Sequence, residues 1–196
     1  AGYDITRLNV GARGSLGLIL EVALKVLPIP EVMQVYGLAC DPSLAQQHML
    51  AQRRLAGLSA SAYCDGALLV RYQGSEQAKS TFEQALGQEF QPVPNTGLAA
   101  VRDLNFAHTG HLWRWDGAVD APVSDQLVAM DWGGALRWFA SDAAPRVPAE
   151  EGVVTWFKQG EGVLPGLTER ADGVGLLQHR VKSALDPNGA FIGYPA

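Results

Sequence analysis

The sequence predicts an α+β fold, a ferredoxin-like antiparallel sheet with helices on one face, preceded by the end of a different domain. Three observations carry this. Between Val32 and Val93 the segments read strand, helix, strand, strand, helix, strand, which is the order of a ferredoxin-like unit. The two central strands, "SASAYC" and "ALLVRYQ", are joined by Asp65-Gly66, a strong two-residue hairpin signal. Pro28 and Pro30 interrupt any ladder continuing from the opening segment and mark a boundary before the unit begins.

Taken in order, Asp4 caps a short helix through "ITRLNV", because its carboxylate can accept from the orphan N–H groups of the first turn, and Gly11 ends it. Residues 17–27 are aliphatic and read as a strand up to the prolines. "VMQVYGLA" is the first strand of the sheet. Asp41-Pro42 starts a helix whose inward face is expected to be Leu44, His48, Ala51, Leu55 and Leu58. After the Asp65-Gly66 hairpin, "SEQAKSTFEQALG" aligns Ala78, Phe82, Ala85 and Leu86 on one helical face and stops at Gly87. "EFQPV" is an edge strand, since Pro92 removes a ladder donor.

The second half keeps this style. "GLAAVRDLNFAH" reads as a helix, "LWRW" as extended, and "QLVAMDW-GG-ALRWFA" as a second hairpin centred on Gly133-Gly134. "VVTWFKQ" is a strand, and "DGVGLLQHRVKSAL" is a helix capped by Asp172 with Val174, Leu177, Val181 and Ala184 inward, ended by Asp186-Pro187. The domain division follows: 1–30 as the close of one domain, 31–185 as the sheet domain, and 186–196 as a tail returning toward the first.

A chain of 196 residues, 47% hydrophobic, suits one moderate globular unit or one domain with part of another. The formal charge of -5, with no Lys/Arg stripe, argues against a nucleic-acid partner. Glu21 and Lys25 break the longest apolar run short of the roughly 20 residues of a membrane span, and no signal-peptide pattern opens the chain. Cys40 and Cys64 read as reduced thiols of a cytoplasmic protein.

Two stretches invite a functional reading. Gly11-x-x-Gly14-x-x-Gly17 is neither a P-loop nor a dinucleotide fingerprint, because its order is helix, loop, strand. Its glycines serve either a tight turn with positive φ or the close approach of backbone N–H groups to a ligand, especially a phosphate. In the hairpin "MDWGGALRWF", a two-residue Gly133-Gly134 turn opposes Trp132 to Ala135, Met130 to Arg137 and Val128 to Phe139. Arg137 then lies diagonal to Trp132, within cation–π reach. Either the aromatics are core with Arg137 snorkelling, or an Arg-lined aromatic face closes over a small anion. His108 and His111 lack the third and fourth ligands of a metal site, so no metal is expected, and no triad spacing assigns a catalytic residue.

The passage "GYDITRLNVGARGSLGLILEVALKVLPIP" resembles the stretch that closes the FAD-binding domain in FAD-linked oxidases of the vanillyl-alcohol oxidase and para-cresol methylhydroxylase type. Within that family, "LSASAYCDGALLVRYQGSEQA", "MDWGGALRWF" and "LQHRVKSALDPNGAF" are similar to the E-type subunits of bacterial glycolate oxidases. The resemblance implies FAD contacts at Gly2, Tyr3, Gly11, Gly14, Gly17 and Ile19, with the residues after Pro30 forming a cap over the flavin and Trp132 and Arg137 on its substrate-pocket face. It implies oxidation of glycolate to glyoxylate, or of another 2-hydroxy acid, together with a catalytic flavin subunit and an iron–sulfur subunit, in the cytoplasm or peripheral to the inner membrane. Its non-catalytic alternative is a module that docks those partner subunits.

The family's Gly-rich pyrophosphate turn has no counterpart here, and the usual basic ending becomes "DPNGAFIGYPA". The chain is therefore expected to be a C-terminal fragment, inactive alone, without tightly bound FAD, and able to form a homodimer through the face a missing domain leaves open.

Overall fold

The structure is a computed structural model that describes residues 4–12, 14–106, 111–141, 145, 152–157 and 173–191. It divides into two compact units, one comprising Ala1–Leu27 with Pro165–Ala196 and the other Pro28–Leu164.

The larger unit is built on one eight-stranded antiparallel sheet. Its elements in chain order are β1 (Val32–Ala39), α2 (Pro42–Gln52), β2 (Leu58–Cys64), β3 (Ala67–Gly74), α3 (Glu76–Leu86), β4 (Gln91–Val93), α4 (Thr96–Arg102), β5 (Leu112–Gly117), β6 (Leu127–Asp131), β7 (Leu136–Ala140) and β8 (Gly152–Phe157). Helix α1 (Ile5–Asn9) precedes them and α5 (Gly173–Leu185) follows, both in the smaller unit. The spatial order is β4-β1-β3-β2-β6-β7-β5-β8, with every neighbouring pair antiparallel. The first four strands have the ferredoxin-like arrangement that the sequence predicts. The last four repeat it in mirror order along the sheet, since β8-β5-β7-β6 stands to β5–β8 as β4-β1-β3-β2 stands to β1–β4. The halves meet at β2 and β6 through only two residue pairs, Tyr63↔Met130 and Cys64↔Ala129.

Local chemistry explains the first half. Asp65 and Gly66 both have positive φ, 50° and 78°, as a primed hairpin turn requires. Asp41 accepts from the N–H groups of Ser43 and Leu44, and Ser75 accepts from Ala78, so both crossover helices start on a side-chain cap. Alternation along the strands separates two cores. Tyr36, Tyr63, Leu68, Val70 and Tyr72 pack with Met49 of α2 and Phe82 and Leu86 of α3 on one face. On the other, Val35, Ala62, Leu69, Leu136 and Trp138 pack with Val101 of α4. The two crossover helices thus share one face, and the seven-residue α4 lies against the opposite one.

Several expectations are revised. The buried face of α2 is Ala45, Met49 and Gln52 rather than Leu44, His48 and Ala51, because the sheet contacts a stripe one residue farther along the helix. Helix α4 ends at Arg102, where Leu104 turns into positive φ, before the expected His108, which lies outside the described residues. Residues 18–27 enter no strand, and their apolar side chains are exposed. Leu177 of α5 is exposed rather than inward, and Asp172 lies outside the described residues. The structure groups α5 with the opening segment, whereas the sequence reading places it with the sheet. The tie is Lys182 on α5, whose ammonium donates to the Ser15 carbonyl. Among the described residues, no helix is long and apolar enough to cross a membrane.

Candidate functional site

The glycine loop of the smaller unit is held from below. Asp4 caps α1 through the Arg7 N–H, and Ala12 and Ser15 are buried beneath the loop. Lys182 Nζ donates to the Ser15 carbonyl, the Phe191 carbonyl and the Asp186 carboxylate. Asp186, itself buried, accepts from the N–H groups of Ala190 and Phe191. Lys182, aided by those N–H groups, holds the Asp186 carboxyl below the usual carboxylate range. The sequence reading saw Asp186-Pro187 only as a helix stop. An aspartate four residues after a lysine at the helix end was the available signal.

Gly11 and Gly14 have φ of 81° and 76°, so backbone conformation alone accounts for glycine at both. A Cβ added at either would meet nothing within 4 Å, which leaves their outer side open to an approaching group. Gly17 differs. It lacks positive φ, and a Cβ there would meet only Asn9 Oδ1 at 3.9 Å, so neither conformation nor crowding in this unit calls for glycine. Ile19 is exposed beside it, and Gly2 and Tyr3 lie outside the described residues.

The larger unit holds a cleft of about 550 Å³ where its sheet forks. After Met130 the β6 chain turns away at Trp132, so Leu58–Ala62 of β2 line the opening along an edge that β6 does not pair. Met49 of α2 and Arg53 just past its end, Arg71 of β3, Leu98, Val101 and Arg102 of α4, and Asp131–Gly133 also line it. Arg71 Nε donates to Ser59 Oγ at 2.9 Å, while Arg102 is bound in two places to Asp103, at 2.7 and 2.8 Å. Burial pushes the Asp131 carboxyl up, opposed by its bond from the Trp132 N–H. The cleft therefore joins arginines, one acidic group and an exposed indole, a set suited to holding an anion with an apolar part.

Trp132 and Arg137 are not brought together. Residues Trp132–Gly134 form a 3₁₀ turn with Gly133 at φ 66°, so the hairpin loop is longer than the two-residue turn expected. Met130↔Arg137 pairs as predicted, but a bulge near Val128 sets Leu127, not Val128, opposite Phe139. Trp132 is 65% exposed at the cleft and lies under the Arg114 guanidinium at 5.8 Å. Arg137 is 1% exposed and stacks on Trp115 at 4.8 Å. It donates from Nε to Gly134 O, from Nη1 to Pro122 O, and from Nη2 to Ala121 O and Val119 O. Four loop carbonyls thus draw the guanidinium inward, away from the cleft.

The remaining candidates are quieter. His48 is half-buried, bonded to Gln52 at 3.3 Å and edge-on to Phe90. Cys40 and Cys64 are free thiols, and burial pushes Cys64 up to about 11, which disfavours its thiolate. No group of three or more His, Cys, Asp or Glu fit to hold a metal occurs among the described residues.

The chain is 34% identical over 206 aligned residues to glycolate oxidase subunit GlcE of Escherichia coli (strain K12), with 97% of the chain covered. The likeness is to glycolate oxidase subunits. A second relative, glycolate oxidase subunit GlcD of Bacillus subtilis (strain 168), is 55% identical over 31 residues, 16% of the chain. The chain spans 56% of the length of GlcE and 7% of that of GlcD. No family model matches.

Proposed function

We propose that the chain serves as part of an FAD-linked glycolate oxidase subunit, acting in the oxidation of glycolate or a related 2-hydroxy acid beside a catalytic flavin subunit and an iron–sulfur subunit. The observation that carries this reading is the identity with GlcE across nearly the whole chain. FAD, when bound, would accept the two electrons released as the hydroxyl-bearing carbon becomes a carbonyl. The described residues suit a contact wall for such a group. Gly11 and Gly14 leave open backbone, and Gly17 has no other reason in its own unit to lack a side chain. They do not suit the whole phosphate cradle, because Lys182, the cation bound to the loop, is already matched by Asp186. FAD is accordingly assigned to the longer assembly, and this chain alone is expected to hold it weakly.

For the substrate, Trp132 with Arg53 and Arg71 of the cleft offers a carboxylate-binding face, Arg102 being already matched by Asp103 and Arg137 acting on it only through the loop it supports. The test is co-expression with the GlcD-type and iron–sulfur subunits, followed by affinity purification and glycolate-dependent dye reduction. Co-purification, a flavin absorption band in the complex, and reduced turnover on Trp132→Ala are expected. Failure to associate, or dye reduction that ignores glycolate, overturns the reading. A docking role without chemistry is favoured by the cleft's want of a paired acid and base among its described lining residues. It predicts association with full activity in Trp132→Ala.

A further inference from the structure

The cleft beside β2 is larger and more apolar than a two-carbon acid needs. Its volume of about 550 Å³ lies in the range of sites that enclose drug-sized ligands. Leu58, Ala60, Ala62, Leu98 and Val101 line it with alkyl groups. Ala60 stands directly across the ladder from Arg71, so on one face of the sheet a methyl group adjoins a cation. Arg71 donates its Nε to Ser59 Oγ and, like Arg53, makes no ion pair among the described residues. An anionic head can therefore rest on a guanidinium while the atoms next to it meet alkyl surface.

Trp132 adds an independent observation. Its φ is 52°, a left-handed conformation that glycine adopts freely and a bulky side chain does not. Packing does not call for an indole there, since the residue is 65% exposed and the Arg114 guanidinium lies 5.8 Å from its ring. Asp131 holds the turn by accepting from the Trp132 N–H at 2.6 Å. The hairpin thus bears backbone strain to keep a flat aromatic surface at the cleft, and strain of this kind accompanies ligand contact.

We propose that the cleft binds 2-hydroxy acids with a chain of several methylenes in preference to glycolate. The carboxylate sits on Arg71, and the chain runs along Ala60 toward the Trp132 indole. This rests on the cleft being a carboxylate site, as proposed for the substrate. Glycolate gains the arginine contact and little else, whereas each methylene buried in the cleft adds about fourfold in affinity.

Calorimetric titration of the chain with glycolate, 2-hydroxybutanoate, 2-hydroxyhexanoate and 2-hydroxyoctanoate tests it. Kd is expected to fall along the series by about tenfold or more in total. The amide 2-hydroxyoctanamide keeps the chain and loses the charge, and is expected to bind about tenfold more weakly than the acid. Ala60→Leu fills part of the cleft, and Trp132→Gly removes the indole. Each is expected to weaken 2-hydroxyoctanoate by about fivefold or more and glycolate far less. Trp132→Gly should melt close to the parent, because relief of the left-handed strain offsets the freedom that glycine adds to the unfolded chain. A flat series overturns the proposal. So does an amide that binds as tightly as the acid, or affinity for 2-hydroxyoctanoate that survives both substitutions. Chain-length-dependent binding without association with the partner subunits overturns the oxidase reading alone. Association and glycolate turnover with a flat series overturn the chain-length preference alone.

Discussion

The two halves of the sheet share a strand order and differ in what covers it. In the first half, β1 leads to β2 and β3 to β4 through capped helices, whose backbone groups are satisfied internally. In the second half, β5 leads to β6 through residues 118–126, which form no helix. On the face where α2 and α3 cover the first half, the loop's Val119, Ala121 and Pro122 carbonyls take hydrogen bonds from side chains instead. Arg137 reaches Val119, Ala121 and Pro122, and Gln46 of α2 reaches Val119 and Ala121 at 2.9 and 2.7 Å. A helix carries its own donors, whereas a loop lying over a sheet has to borrow them. Among the described residues, the first half is thus covered by capped helices and the β5-to-β6 connection by a loop held on a buried cation.

The largest effect that can break this comparison is removal of the borrowed donor. Arg137→Met is expected to lower stability by about 3–5 kcal/mol, because the Pro122 and Gly134 carbonyls lose the guanidinium, Val119 and Ala121 keep only Gln46, and Trp115 loses the cation stacked on it. Urea unfolding measures this. A loss below 1 kcal/mol would mean that the loop satisfies itself. The turns come next. Gly66→Val forces a branched side chain into positive φ and should cost about 1–2 kcal/mol, and Gly133→Val should cost a similar amount in the second hairpin. Equal losses sharpen the view that the hairpins correspond, whereas a silent Gly133→Val breaks it. Gln46→Ala should cost about 1 kcal/mol, and because it shares acceptors with Arg137, the double variant should depart from additivity. Trp132→Ala should change stability by less than about 1 kcal/mol, because the side chain is exposed and its contact with the Arg114 guanidinium is a solvated cation–π one.

The smallest effect on the sheet is expected from the smaller unit. Asp186 is held below its unfolded value, so its contribution is fully present above about pH 4 and is lost as pH falls through the depressed folded value. Asp186→Asn should leave the unfolding midpoint of the sheet unchanged. It should also speed proteolysis near Ser15 at neutral pH and flatten the acid dependence of that cleavage. Unaltered proteolysis would show that the Lys182 latch does not hold the loop.

The parts of the fold legible in the sequence are those with short-range causes. Asp65-Gly66 determines a primed turn because few residue pairs tolerate two consecutive positive φ values. Asp41 and Asp4 determine helix starts because a side-chain oxygen reaches the next N–H groups within three residues. The β1–β4 order followed from these. The site was legible only in outline. The spacing of Gly11, Gly14 and Gly17 marked a loop with open backbone, and the "DWGGALRW" hairpin marked a special place. What Arg137 does there depends on carbonyls fifteen or more residues upstream, which no local pattern exposes. The inward stripe of α2 was missed for a related reason: its eleven residues have several faces of similar apolarity, and only the sheet selects one.

By itself, then, the sequence determined the α+β class, the leading ferredoxin-like order, the helix starts at Asp4 and Asp41, and the first hairpin. Each of these rests on interactions between residues a few positions apart. Tertiary structure alone decided that the second half repeats the strand order of the first, that the sheet forks between β2 and β6 into a cleft, and that Arg137 serves a loop while Trp132 faces solvent. Those outcomes rest on backbone groups and side chains far apart in the chain, and their competition for hydrogen bonds and burial is settled only when the chain is folded.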